Sequence, residues 1–588
     1  MCFPGKLFQY TLYHGKLPDE EYDSNGIPYG IQPDYERPFT DYRGKDKQYF
    51  LYMPSGLLPM QSCKTLFVAG DFPDKDSVEE LLVSNGLSYL AERDQAFLVF
   101  YPVTENFAES EEAWEHEIQL LIELQTAAID GYLFGGRNKC HCYYLSMMGL
   151  GIGGDLVHCT LARFSKYIGS AMTVGGSVAS EQFPKDHGDC NMNIWMINPP
   201  EAALEYWQSA NGLKDVPWSE NGETKICERS DNPAIQIRVT ELKNEPDYAK
   251  VIPLYWDECF SNLVRVSAIG NGELFNPEKE LNKYLPSIHT RDRSLGDNGG
   301  IEHDWVEFIP SAVREKRSDP TYKCPLLLVL HGGGSLFKME MGVFQAHKLG
   351  EAGEFITVYA NASEGKSWNS TLLPQRYDDV EYLTALVENV KRNYPVDPEK
   401  VYITGFSNGS GMSHAMAALC PDLFAGLIAF NTRYRIGEAL QRKACKVKER
   451  KDHRMPVFST YGTLDVEYPL FNGSAQSTQM NFWRWYNNIP SRIYNTDEDG
   501  AMTLQGDTVK IWGFDNDKYS SVFCTNIYAS ASPSIDNLYN YTMIKGMPHG
   551  VERHILKTAL DYVFQYRRLP DGSLVKTEAD NGFIISLD

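Results

Sequence analysis

The sequence predicts an α/β protein made of two tandem units, each a mostly parallel sheet flanked by helices. Three observations carry this. Short apolar runs bounded by Pro or Gly, such as Leu66-Phe67-Val68-Ala69 and Leu326-Leu327-Leu328-Val329-Leu330, alternate with amphipathic stretches of helix length. The same order of runs occurs twice along the chain. In the second half, Val401-Tyr402-Ile403 enters the turn Gly405-Phe406-Ser407-Asn408-Gly409, and Met412, Ala415, Met416 and Leu419 follow at helical spacing.

Length and charge set bounds. At 588 residues the chain exceeds one ordinary domain of roughly 150 residues. Its 55 Lys+Arg against 78 Asp+Glu give a net charge of −23, which opposes nucleic-acid backbones and anionic membranes as partners. No stretch reaches about 18 continuous apolar residues, and Met1-Cys2-Phe3-Pro4-Gly5-Lys6 lacks the apolar core of a leader, so a cytoplasmic location is expected. The 12 cysteines are scattered and read as free thiols. Cys140-His141-Cys142 has no second ligand pair at finger spacing and reads as strand, so no metal or cofactor is implied.

Residues 1–45 are rich in Pro, Gly, Tyr and Asp without a sustained period, and read as an irregular arm. A first unit over 46–290 opens with Gln48–Ser55, an edge strand closed by Pro54, then the buried strand Lys64–Asp71, a helix, Phe97–Pro102 and an amphipathic segment around Trp114 to Leu124. The polar, glycine-rich stretch over 291–302 reads as a linker. A second unit over 303–588 repeats the order with Trp305–Ser311, Pro325–Gly334 and Ile356–Tyr359.

Leu90-Ala91-Glu92 aligns with Leu349-Gly350-Glu351, and Pro310 to Ser407 (407 − 310 = 97 residues) resembles Pro54 to Gly149 (149 − 54 = 95). On this alignment Gly149 stands where the second unit has Ser407, Ala69 where it has His331, and Ser146 where it has Thr404. The tail Val264 to Glu273 ends without a histidine. The first unit is therefore expected to be a catalytically inactive copy of the second.

Gly-x-Ser-x-Gly between a strand and a helix suits an α/β-hydrolase nucleophile, because a serine on so sharp a turn leaves no room for side chains two residues away. Ser407 is the predicted nucleophile, and the Asn408 N–H at the helix start one oxyanion donor. The fold delivers its triad in the order serine, acid, histidine. Among the later histidines, His414 lies inside the helix, His453 in the charged run Lys448 to Arg454, and His554 on a helix. His549, in Met547-Pro548-His549-Gly550 after a strand, is the predicted base. Asp465, on the Gly462-Thr463-Leu464-Asp465 turn after another strand, is the predicted acid, with Glu467 as fallback. The second oxyanion donor belongs in His331-Gly332-Gly333-Gly334, with the Gly333 N–H as candidate.

The second half resembles the polyhydroxybutyrate depolymerase and feruloyl esterase group of α/β-hydrolases over about 300–560. The likeness rests on Leu330-His331-Gly332-Gly333, on Ser367-Trp368-Asn369, on Val396 through Gly409 and on Pro421-Asp422-Leu423-Phe424-Ala425-Gly426. It implies two tandem α/β-hydrolase-like domains, the N-terminal one degenerate, and an esterase with Ser407, Asp465 and His549 as triad and Gly333 and Asn408 at the oxyanion hole. It further implies Trp368, Asn369 and His331 as substrate-binding residues. The family's cysteines beside Trp-Asn and after His-Gly are absent here. The expected reaction is hydrolysis of a small or oligomeric carboxylic ester. Amide hydrolysis by the same triad, and a non-catalytic binding role, are the alternatives.

Overall fold

The computed structural model describes residues 4–12, 47–57, 62–103, 110–130, 139–165, 167–186, 191–243, 247–266, 273–283, 288–292, 295, 301–363, 367–431, 436–451, 453–462, 475–489, 495–496, 502–503, 508–515, 522–529, 538–544 and 549–576. The chain divides into two compact units, Met1–Glu278 and Lys279–Asp588.

In the first unit, strand residues alternate between two apolar layers. Leu66 and Val68 pack on one face of the sheet, Phe67 and Ala69 on the other. Both faces are buried, which is why these strands read as continuous apolar runs. Among the described residues the sheet has ten strands; numbered in chain order, they lie across it as 1-2-4-3-5-6-7-10-9-8. The described residues of the second unit also form a ten-stranded sheet, and its spatial order is again 1-2-4-3-5-6-7-10-9-8. In both, strands 4, 3, 5, 6, 7 and 10 are parallel, so their carboxyl ends share one edge.

Particular side-chain contacts recur at matching places. Trp207 Nε1 donates to His158 Nδ1 (2.9 Å) in the first unit, and Trp483 Nε1 to His414 Nδ1 (2.8 Å) in the second. Asn211 holds both backbone polar groups of Met192, as Asn487 holds those of Met455. The Arg265 guanidinium donates to the carbonyls of Ile168 and Asn191; that of Arg568 donates to those of Phe424 and Arg454. Glu92 accepts the Ser55 N–H with both oxygens, and Glu351 accepts that of Ser311.

These contacts and the strand registers shift the internal alignment. Ala69 pairs with Gly149 as Leu330 pairs with Gly405. Gly149 therefore matches Gly405, and the place of Ser407 falls to Gly151, two residues later than expected. The backbone agrees: Gly151 has φ 56°, ψ −119° and Ser407 φ 52°, ψ −114°, each the residue just before a helix. Pro54 to Gly151 then spans 151 − 54 = 97 residues, the same as Pro310 to Ser407. By the same registers the counterpart of His331 is Gly70 and that of Ser146 is Tyr402. The counterpart of the strand before His549 is Gln236–Thr240, not the tail at 264, because Val264–Val266 pairs instead with Glu273–Phe275. No histidine stands in Glu241-Leu242-Lys243-Asn244-Glu245-Pro246-Asp247, which follows that strand.

Two boundaries also differ from expectation. Within the arm expected over 1–45, Lys6–Leu12 forms a strand paired with Lys47–Met53; residues 1–3 and 13–45 lie outside the described residues. Its β-forming Leu7, Phe8, Tyr10 and Thr11 gain their hydrogen bonds from a partner some forty residues away, which a local period does not show. The linker expected over 291–302 starts inside the strand Ile288–Asp292, whose pairing with His303–Phe308 makes it the edge of the second sheet. Most of that stretch lies outside the described residues. Among the described residues, Cys63, Cys140, Cys159, Cys227, Cys259, Cys324, Cys420 and Cys445 form no disulfide with one another. No helix among the described residues is long and apolar enough to cross a membrane.

Candidate active site

Strand Val396–Phe406 passes through Ser407 into helix Asn408–Leu419. The turn is strained, since Ser407 is a non-glycine residue at φ 52°. A Cβ on Gly405 would overlap the backbone of Gly409, and one on Gly409 would overlap the carbonyls of Leu330 and His331. Glycine is thus required at both places for the helix to start against the neighbouring strand. The Ser407 N–H donates to Phe430 O at 3.0 Å and Ser407 O accepts the Gly411 N–H at 3.0 Å, which hold the turn at both ends.

His549 Nε2 stands 2.9 Å from Ser407 Oγ. The imidazole lies beside the Phe406 ring with centroids 4.8 Å apart, and both Ser407 and His549 are half-buried. His414 and His453 are engaged elsewhere. His414 is buried, accepts the Trp483 indole N–H and is held by burial at a pKa of about 3. His453 Nε2 lies 2.6 Å from Asp422 Oδ1. The side chain of His554 is outside the described residues, and so are Asp465 and Glu467, the expected acid and its fallback.

Asn408 and Gly333 come together: a Cβ added to Gly333 would sit 3.4 Å from Asn408 Cβ. The Gly333 backbone lies in a turn closed by Ser335 N–H to Gly332 O (3.1 Å), with Gly334 at φ 78°, a conformation that favours glycine.

Trp368, Asn369 and His331, expected to contact substrate, are instead fully engaged inside the protein. The Trp368 ring is buried and its Nε1–H donates to His331 O at 2.8 Å. Asn408 Oδ1 accepts the Trp368 N–H at 2.6 Å, and its Nδ2 donates to Trp368 O and Ser370 Oγ, both at 3.2 Å. Asn369 Nδ2 donates to the carbonyls of Leu373 and Tyr377 (3.0 Å each). The Asp379 carboxylate accepts the N–H groups of Ser363 and Asn369. These side chains frame the loops around Ser407. Motif reading gave them a contact role because it reports proximity to the site and not the direction of a ring.

Two further residues were missed. Asn431, buried at φ 44° after strand Gly426–Phe430, donates to Gly550 O at 2.5 Å and accepts the Gly462 N–H at 2.9 Å. Glu340 is buried, and its Oε1 accepts the Gly332 N–H at 3.0 Å. The available signal for Glu340 was a lone acid within Met339-Glu340-Met341-Gly342-Val343-Phe344.

A strained serine between strand and helix, a histidine at its hydroxyl and a parallel sheet with both at its carboxyl edge define the architecture, and the family model described as Phospholipase/Carboxylesterase matches residues 376–491. The second unit has an α/β-hydrolase fold. Similar curated proteins carry esterase and depolymerase names. Poly(3-hydroxyalkanoate) depolymerase C of Paucimonas lemoignei is 32% identical over 145 residues, 23% of this chain and 33% of its own length. The acetylxylan esterase of Coprinopsis cinerea is 33% identical over 142 residues, 23% of this chain and 36% of its own. Feruloyl esterase B of Talaromyces funiculosus is 24% identical over 152 residues, 25% and 41% respectively. The chain thus spans between 33% and 41% of the length of these relatives.

Proposed function

We propose that the second unit hydrolyses carboxylic esters through an acyl-enzyme on Ser407. The observation that carries this is the 2.9 Å approach of His549 Nε2 to Ser407 Oγ on a strand-to-helix turn. His549 takes the hydroxyl proton as Oγ attacks the ester carbonyl, and the oxyanion is met by the N–H groups of Gly333 and Asn408. His549 then protonates the departing alcohol. Water, deprotonated by the same nitrogen, attacks the acyl carbon and releases the acid. Asp465 is assigned to orient the imidazole, on its place in the chain after strand Val457–Gly462.

The substrate reading is an ester with an apolar or aromatic portion, small or oligomeric. Leu336, Leu373 and Tyr377 are exposed on the loops that follow strands Cys324–Leu330 and Ile356–Ala360 at the carboxyl edge. They are assigned to meet such a group on their place in those loops, and the names of the relatives agree with an ester substrate.

We further read the first unit as an internal copy without catalysis. The shared strand order, the His–Trp pairs and the glycine in place of Ser407 support this. Hydrolysis of nitrophenyl esters from acetate to octanoate by wild type and Ser407→Ala tests the function. Turnover by wild type that survives in the variant would contradict it.

A further inference from the structure

The Gly333 N–H can serve an oxyanion only if it points toward the space in front of Ser407 Oγ, and a glycine turn does not fix that direction by itself. In a trans peptide the N–H of Gly333 points opposite to the C=O of Gly332. Whatever holds Gly332 O therefore aims the Gly333 N–H. Gly332 O is held twice: by the Ser335 N–H at 3.1 Å and by His331 Nδ1 at 2.7 Å.

The His331 tautomer is fixed from its far side. The Ala362 N–H donates to Nε2 at 3.0 Å, so the ring proton resides on Nδ1, the nitrogen facing Gly332 O. Burial keeps the ring neutral by lowering its pKa to about 4. The preceding peptide is fixed separately, because Glu340 Oε1 accepts the Gly332 N–H at 3.0 Å. Glu340 is 1% exposed, and the Ser335 hydroxyl is the other polar group that acts on its carboxyl. A carboxyl buried between Met339 and Met341 is costly to keep, and the groups that hold it, the Gly332 N–H and Ser335, both belong to the oxyanion loop.

We propose that His331 and Glu340 are a pair of positioning residues that clamp Gly332 from both sides and thereby aim the Gly333 N–H at the reacting carbonyl. This rests on the esterase reading above. Neither side chain touches substrate; both act through the backbone of Gly332.

The test uses the full chain with Glu340→Met, which keeps volume but removes the acceptor, Glu340→Gln, which retains an acceptor oxygen, and His331→Phe, which keeps a ring but removes the donor. Hydrolysis of a nitrophenyl ester and the affinity of a trifluoromethyl ketone, whose hemiketal carries an oxyanion on Ser407, are measured beside thermal melting. The expected result for Glu340→Met and His331→Phe is a loss of about 10²-fold in kcat with KM little changed, and a parallel loss in ketone affinity. Glu340→Gln recovers most of it. The double variant loses much less than the product of the two single losses, since both act on the backbone of the one residue Gly332. If Ser407→Ala is inactive but a folded His331→Phe or Glu340→Met keeps kcat and ketone affinity, the clamp is refuted and the esterase reading stands. Should Glu340→Met fail to fold, His331→Phe still decides. If Ser407→Ala retains turnover, the esterase reading itself is refuted.

Discussion

Asn431 and Gly550 are joined by a 2.5 Å hydrogen bond from the side-chain amide to the carbonyl, one residue beyond His549. The other end of the same amide takes the Gly462 N–H at the close of strand Val457–Gly462. One buried side chain thus ties the loop of the proposed base to the strand that leads toward the proposed acid. Asn431→Ala should lower kcat by roughly 10- to 100-fold with little change in KM, because misplacing a base slows chemistry and not binding. Asn431→Gly tolerates φ 44° but lacks the amide, so equal losses in both variants would assign the effect to the hydrogen bonds and not to the backbone.

Trp368 gives a second prediction. Its ring is buried and its indole N–H holds His331 O. Trp368→Phe keeps an aromatic core and deletes that bond, so kcat should fall while KM across a series of esters stays level. A rise in KM that depends on the ester would show that the ring meets substrate after all.

Gly151 shares the torsions of Ser407, yet the first unit has Gly70 where the second has His331 and no histidine after strand Gln236–Thr240. Gly151→Ser in a Ser407→Ala background should therefore remain unlabelled by a fluorophosphonate. Labelling at residue 151 would mean that the first unit retains a working base.

The nucleophile turn was legible in the sequence because its constraint is local: a strand, two obligatory glycines and a helix within about twenty residues. His549 was legible for a similar reason, since it follows a strand and precedes a helix within the chain order the fold imposes. Gly151 was not. Gly149-Leu150-Gly151-Ile152-Gly153-Gly154 accepts two frames, and only the pairing of Ala69 with Gly149 chooses between them. Asn431 was illegible because the backbone groups it holds, at Gly550 and Gly462, lie far along the chain, and Glu340 because its partner, the Gly332 N–H, is a backbone group that no residue pattern marks. The strand Lys6–Leu12 was hidden because its partner is supplied across a long gap.

Stability in the second unit should depend on pH through buried groups of opposite sign. Burial raises Glu340 from an ordinary 4.5 to about 7, so between those values the folded state keeps a proton that the unfolded chain has lost, and stability falls as pH rises. Burial lowers His331 to about 4 and His414 to about 3 from an ordinary 6.5. Below pH 6.5 the unfolded chain gains protons the folded state refuses, so stability falls as pH drops. Glu340 therefore opposes the two histidines on acidification from 6.5 to 4.5. Glu340→Gln removes the opposing term and should steepen that loss by on the order of 1 kcal/mol per pH unit. Denaturant unfolding at pH 4.5, 5.5 and 6.5 reads the difference; equal slopes would place the Glu340 carboxyl near its ordinary pKa.

The central claim is that Ser407, activated by His549, carries the acyl group. Intact-protein mass spectrometry with peptide mapping, after reaction with a fluorophosphonate or a slowly deacylating nitrophenyl ester, measures this directly. One adduct per chain on Ser407, lost in Ser407→Ala and strongly slowed in His549→Ala, is the predicted result. No adduct on folded wild-type protein, or an adduct on another residue, would contradict it.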